Sequence, residues 1–297
     1  MKAGILIGEG LDPYFNLALE EYLLRHVGEN EIILYLWQNE KTVVIGRNQN
    51  IWSEINLDEL RAISGHPTRR HSGGGAVYHD TGNLNFTFIT TSAHFDIPRQ
   101  TEVVLSAVRS LGIDAQKTGR NDLCTLGRKF SGHSYYRNGN RCFHNGTILL
   151  DTDPEIMSRV LNVSETKLQS KGVKSVKSRT INLKELIPNI SVECVRKVLC
   201  EAFCAEYGEA SVVSAPDRDD EEFTSILDRL KSEEWIFNKV IPHSGSIKKH
   251  FDWGNAEVLW STGEDGGLLE YQVFTDALGN VPENEIRDLL MDELPHK

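Results

Sequence analysis

A chain of 297 residues is long enough for about two domains and for a core that needs no covalent staples. With 39% hydrophobic and 25% charged residues it lies near globular averages, which excludes disorder, collagen and coiled coil. No apolar run approaches the ~20 residues that cross a bilayer, so no membrane segment is expected. The first residues lack the parts of a signal peptide, so a cytoplasmic location is expected, and five cysteines without a C-x-x-C pair point to free thiols.

The net charge of -11 is unevenly spread: residues 251–297 hold eleven acids against Arg287 and Lys297. Upstream the basic residues bunch, first as Arg69 and Arg70, then as Lys117, Arg120, Arg128, Lys129, Arg137 and Arg141 around Asp122, then as Lys167, Lys171, Lys174, Lys177 and Arg179. Such clusters focus potential on a small anion even in an acidic molecule. The overall acidity speaks against a nucleic-acid partner.

In chain order, Asp12-Pro13 followed by Asn16, Leu17, Leu19, Tyr22 and Leu23 predicts an N-capped amphipathic helix with Glu20 and Glu21 on its wet side. Residues 31–38 and 42–46 read as strands joined by a polar turn. Strand signals recur at 76–79, 83–90, 129–137 and 141–150, and helical spacing at 101–111 and 192–207. Without regular β-α-β alternation, this pattern predicts an α+β fold: a mixed, mostly antiparallel sheet covered by helices on one face. Residues 232–250 are turn-rich and poorly periodic. They separate a larger domain at 1–240 from a small α+β unit at 250–297, read as strand, strand and helix at 256–260, 268–274 and 282–290.

Several common machines are absent: there is no G-x-x-x-x-G-K-[ST], H-E-x-x-H or G-x-S-x-G, and no strand-borne G-x-G-x-x-G. Cys200 and Cys204, four apart on a helical segment, read as core packing more than as metal ligands. Three consecutive glycines at 73–75 behind Arg69 and Arg70 suit close approach of backbone N–H groups to an anion, with charge-assisted donors alongside. Asp122 suits a Mg²⁺ held by one carboxylate and phosphate oxygens. Lys129 beside Phe130 on a strand reads either as a partly desolvated ammonium that needs an anionic partner or as an ordinary surface lysine, the reading composition alone favours. Residues 171–179 alternate cations with small side chains, as a phosphate-covering loop or a basic linker would. Together these fit nucleotide binding without a P-loop.

RRHSGGGAVYHDTGNLNFTFI at 69–89, GRNDL at 119–123, RKFSGHSYYR at 128–137, FHNGTILLD at 143–151 and KGVKSVKSRTINL at 171–183 resemble the lipoate-protein ligase family in order and spacing. VVIGRNQN at 43–50 and QVFTDAL at 272–278 are similar too, so the resemblance spans nearly the whole chain. It implies a biotin/lipoate-ligase-type catalytic domain with a small C-terminal domain, and two reactions. Lipoate and ATP, with Mg²⁺, give lipoyl-AMP; the lipoyl group then passes to a lysine of an acceptor. The acceptors implied are lipoyl domains of 2-oxoacid dehydrogenase complexes and the glycine-cleavage H protein, served by a monomer. Carried over by position, Arg70, Gly75, Ala76, Val77, Tyr78, Asn121 and Asp122 are implied at the ATP or adenylate, and Lys129 as the catalytic residue touching both substrates. Ser72, His79, Gly132 and His144 are implied at the lipoate, Lys171, Lys174, Lys177 and Arg179 in the adenylate-covering loop, and Asp122 at the Mg²⁺. Two departures are visible: residues 124–128 form a short link before Lys129, and the C-terminal unit is abbreviated. Competing readings are an octanoyl or lipoyl transferase using Cys124, Cys142 or a thioester donor, and a non-catalytic module that binds lipoyl-AMP.

Overall fold

The structure is a computed structural model that describes residues 1–119, 121–162, 179–264 and 266–294. Chain order runs β1 (Lys2–Ile7), α1 (Pro13–His26), β2 (Glu31–Trp37), β3 (Thr42–Ile45), α2 (Ile51–Glu54), α3 (Leu57–Ala62), β4 (His66–Arg69), β5 (Val77–His79), β6 (Asn83–Thr91), α4 (Ile97–Ser110) and β7 (Gln116–Thr118). It continues with β8 (Asp122–Thr125), β9 (Arg128–Asn138), β10 (Arg141–Leu149), α5 (Pro154–Val160), α6 (Val192–Tyr207), β11 (Ala210–Val212), α7 (Glu221–Lys231), α8 (Glu233–Phe237), β12 (Gly245–Phe251), β13 (Gly254–Thr262), β14 (Leu268–Thr275) and α9 (Glu283–Glu293). The main sheet has eight strands in the order β11-β1-β2-β6-β10-β9-β8-β7. Its β11, β1 and β2 are parallel and every later pairing is antiparallel. The fold is the expected mixed α+β architecture. However, β2 and β3 do not pair: β3 lies between β4 and β5 in a separate three-stranded sheet.

Helices cover both faces of the main sheet, which corrects the expectation of one. On one face Leu34, Leu36, Phe86 and Phe88 pack with Val104 and Val108 of α4 and Leu199 and Phe203 of α6. On the other, Ile33, Tyr35, Ile89 and Phe143 pack with Leu17 and Leu24 of α1 and Phe223 and Ile226 of α7. The unbroken apolar run of β2, all buried after Glu31, is the sequence mark of a strand covered on both sides. Asp12 caps α1 as expected, accepting from the Tyr14 and Phe15 backbone N–H groups ahead of Pro13 at the first turn. Glu20 and Glu21, expected on the wet side, are instead 1% and 5% exposed. Because α1 lies between the sheet and α7, its polar face is inside the protein, and the carboxylates must find partners there.

The C-terminal unit is an antiparallel sheet in the order β12-β13-β14 with α9 packed on it through Ile286, Leu289 and Leu290. Its first strand, Gly245–Phe251, begins inside the stretch read as turn-rich. Here Ile247 and Phe251 face the small core while Lys248, Lys249 and His250 stay wet, which hides the apolar periodicity. Two backbone bonds seat this unit on the larger one: Thr275 N donates to Asn48 O at 2.8 Å and Gly74 N to Ala277 O at 3.1 Å. Gly73 is required at that seat, since a Cβ there would lie 2.3 Å from the Ala277 carbonyl oxygen.

Candidate active site

Two cavities meet between the main sheet, the glycine segment and the C-terminal unit. The narrow one, about 200 Å³, is lined by Leu17, Trp37, Val44, His79, Asn85 and Asn145, among others. The wider one, about 560 Å³, is lined by Asn50, Ser53, Tyr78, Met157, Phe274 and Thr275, among others. Ala76, Val77, Lys129, Thr147 and Arg179 border both, together with His250, Asn255 and Asp276. The wider cavity falls within the ~300–1,000 Å³ of small-molecule sites.

Lys129 sits at the junction because Gly132, three residues on along β9, has no side chain: a Cβ there would be 2.5 Å from the lysine Nζ. The ammonium pairs with Asp122 Oδ1 at 2.7 Å, and Arg179 Nη2 pairs with Asp122 Oδ2 at 3.1 Å. The expected anionic partner of Lys129 is thus Asp122 on the neighbouring strand, which also tethers Arg179. One carboxylate between two cations leaves a net positive junction. Asp122 was expected at a Mg²⁺, but both its oxygens are occupied by cations, and no group of three or more His, Cys, Asp or Glu side chains gathers among the described residues. The arrangement does not fit a metal ligand. Lys171, Lys174 and Lys177 lie outside the described residues.

The arginine pair serves the backbone. Arg69 donates to the carbonyls of Gly46, Arg47, Gln49, Trp235 and Ile236 at 2.8–3.2 Å, so it anchors loops instead of an anion. Arg70 donates to Val44 O, Gly73 O, Gly75 O and Ser72 Oγ. It holds the glycine segment in shape while bordering the narrow cavity, where the resemblance had put it at the nucleotide. Burial pulls its pKa down to about 10, which leaves it charged at neutral pH. Gly74 takes φ +89°, and its N–H is bound to Ala277, so that part of the expected anion cradle is filled by the C-terminal unit. Gly75, Ala76 and Val77 border the narrow cavity, and Ala76, Val77 and Tyr78 the wide one. Asn121 borders the narrow cavity and donates to His133 O at 2.8 Å.

Strand parity sorts the expected lipoate contacts. Tyr35, Thr87, Asn145 and Ser134 are mutual partners across β2, β6, β10 and β9, on the α1 face of the sheet. His144, one residue earlier, points to the opposite face, where it stacks on Phe88 and bonds Gln100 and His133 at 3.1 and 2.9 Å. His144 is therefore not at the site, and Asn145 is. Ser72 is also behind the wall: fully buried, it links Arg70 to Ser134. His79 and Gly132 do border the narrow cavity. Burial, with the nearby Arg70 charge, lowers the His79 pKa to about 3, so the ring is neutral. Among the described residues His79 Nε2 and Asn85 Nδ2 are buried without hydrogen-bond partners, two polar atoms bordering the narrow cavity.

Glu20 was missed. Its Oε1 accepts from Thr87 Oγ1 at 2.7 Å and Asn145 Nδ2 at 3.0 Å, while Trp37 Nε1 donates to Thr87 and Ser134 to Asn145. A continuous hydrogen-bond chain thus runs under the narrow cavity from Trp37 to Arg70. Burial pushes the Glu20 pKa up to about 7 despite these donors and Arg70. Glu21 differs: burial opposes its charge, but His71, Arg229 and Arg25 hold its pKa at about 2. Helical spacing carried the signal, since Glu20 lies three residues after Leu17 and four before Leu24 on the packed face.

The mixed sheet, with two cavities meeting at a cationic junction, belongs to the lipoate ligase and transferase class of enzymes. Residues 12–204 match the model of the lipoyl protein ligase A/B catalytic domain, and the chain belongs to that family. LipL1 of P. falciparum, solved in complex with lipoate, is 29% identical and superposes with a TM-score of 0.81 over 97% of this chain and 88% of its own. The bi-partite lipoate protein ligase of Thermoplasma acidophilum, studied with its E2 lipoyl domain, is 26% identical, with a TM-score of 0.69 over 82% of this chain and 100% of its own. A lipoate-protein ligase A bound with ATP is 25% identical, with a TM-score of 0.68 over 80% and 99%.

Proposed function

We propose that the protein activates lipoate with ATP to lipoyl-AMP and transfers the lipoyl group to a lysine of an acceptor lipoyl domain. The observation that carries this is the single junction: a narrow, partly apolar cavity suited to an acyl chain opens at Lys129 into a wider one suited to a nucleotide. Neighbours with lipoate or ATP bound support the two ligands separately, and the Thermoplasma enzyme with its E2 lipoyl domain supports the acceptor class. A Mg²⁺ would enter on the nucleotide's phosphates, not on Asp122.

In adenylation a carboxylate oxygen attacks the α-phosphorus, the bond to the bridging α–β oxygen breaks, and pyrophosphate leaves. Two unit anions ~4 Å apart repel by about 4 kcal/mol at an effective dielectric near 20. Lys129, turning from Asp122 to the two substrates, offsets that repulsion and favours the charge that builds on the phosphorus. Arg179 keeps Asp122 paired when the ammonium leaves, so the fold does not depend on the lysine. In the second step the acceptor amine attacks the mixed anhydride, and AMP leaves. A cysteine-based transfer finds no support: Cys124 and Cys142 are buried against Thr118 and Ser92 and border neither cavity.

The test is mass measurement of a lipoyl domain after incubation with the protein, lipoate and Mg-ATP. One added lipoyl amide is expected, none without ATP, and none with Lys129→Met although that variant stays folded. Modification independent of ATP would replace this reading with transfer from a thioester; full turnover by Lys129→Met would remove the role of the lysine.

A further inference from the structure

His250 of β12 belongs to the C-terminal unit, yet it borders both cavities at the point where they join. Its orientation is built. Asp276 accepts from the Asn255 backbone N–H and from Asn255 Nδ2, both at 2.8 Å, which leaves Asn255 Oδ1 facing the imidazole. His250 Nδ1 donates to that oxygen at 3.0 Å. Nε2 has no partner among the described residues, and it becomes an N–H donor when the ring is protonated. Although His250 is exposed at the rim of the cavities, its Nδ1 is fixed by an asparagine that one carboxylate holds at both ends.

Charge at the junction gives that donor a task. Lys129 and Arg179 share Asp122, so the three together carry one positive charge. An acyl carboxylate and a nucleotide triphosphate bring several negative ones to the same place. The other surroundings of the ring are mixed: Lys248, Lys249 and Asp252 on its own hairpin, with Lys248 paired to Glu257 of β13 at 3.3 Å, and Asp276 after β14. Glu257 is further occupied by Asn50 and Ser53 at 3.0 and 3.2 Å, and Asp276 by Asn255. The paired acids leave His250 as a cation-forming group at the mouth of the junction.

We propose that His250, positioned by Asn255 and Asp276, is a phosphate ligand of the nucleotide, donating from Nε2 of its imidazolium to an oxygen at or beside the α-phosphate. The C-terminal unit thereby completes the nucleotide site with a donor of its own. This rests on the ATP-dependent reading above.

The experiment is calorimetric titration of the full chain with Mg-ATP, and with adenosine as the phosphate-free control, at pH 6.0. Wild type is compared with His250→Gln, which keeps the polarity without the charge, and with His250→Arg, a permanent cation. The expected result at pH 6.0 is a tenfold or greater loss of ATP affinity in His250→Gln, with adenosine affinity unchanged. His250→Arg, which keeps a cation at the position, binds ATP within a few-fold of wild type. Equal ATP affinity of wild type and His250→Gln at pH 6.0, or an equal loss for adenosine, overturns the assignment and leaves the ATP-dependent reading standing. A wild-type protein that binds neither ATP nor adenosine overturns both.

Discussion

Gly132→Ala moves the Lys129 ammonium without removing it. The added methyl would lie 2.5 Å from Nζ and 2.8 Å from Cε, against an ordinary contact of roughly 3.5 Å, so the tip of the lysine must retreat by about 1 Å. The position has no positive φ, and the displaced atoms end a flexible side chain, so the backbone has no reason to shift. At contact, about 2.7 Å as for Asp122, a unit ion pair is worth ~6 kcal/mol at an effective dielectric of 20; at about 3.7 Å it is worth ~4.5. The lost ~1.5 kcal/mol corresponds to about a tenfold fall in kcat/KM for adenylation, and misalignment of the donor can extend this toward a hundredfold. The assay is lipoate-dependent exchange of labelled pyrophosphate into ATP, beside a thermal melt. We expect a Tm within a few degrees of wild type and exchange slowed ten- to a hundredfold. Wild-type exchange would refute the claim that ammonium position governs the step. A melt lowered as severely as the activity would show that Gly132 serves the sheet instead.

Two further outcomes follow from buried titratable groups. The Glu20 pKa is raised to about 7, so its neutral form is the one the fold prefers: that stability is present below the unfolded carboxyl range and lost as pH rises through 7. Glu20→Gln should therefore stabilise the protein at pH 8 relative to wild type, with an upper limit of order 3 kcal/mol, and do little at pH 4.5; denaturant melts at the two pH values would reveal the opposite trend if the carboxylate is welcome there. His79 and His144 have pKa values lowered to about 3, chiefly by burial. They contribute stability that is present above about pH 6.5 and lost as pH falls toward 3. Acid unfolding should accordingly take up at least two protons in that window, and in His144→Gln one fewer; an unchanged proton uptake by linked titration would contradict the burial of that ring.

Much of the fold could be read before any coordinates. The Asp12-Pro13 cap of α1, the long antiparallel strands β6, β9 and β10, and the helix Val192–Tyr207 depend on local propensity and periodicity. Lys129, by contrast, was singled out by the family resemblance, since composition alone reads it as an ordinary surface lysine. Strand β12 was hidden because its solvent-facing cations interrupt the apolar alternation, and β3 left the main sheet because pairing is chosen by packing, not by turn length.

What sequence by itself determined is therefore the chemical inventory and the local geometry: which residues carry charge, which segments extend or coil, and that 69–79 and 119–137 were the segments to examine for a site. Tertiary structure alone decided which of those residues face the cavities. Parity on β10 put Asn145 on the α1 side and sent His144 into the opposite core. The layering of α7 over α1 turned Glu20 and Glu21 inward. Seating of the C-terminal unit filled the Gly74 N–H with the Ala277 carbonyl and brought His250 to Lys129's cavity from more than a hundred residues away. The physical reason is common to all three: a side chain's direction follows from local backbone, but what it meets is set by elements distant in the chain, whose packing maximises buried apolar area and leaves polar groups to satisfy one another where they land.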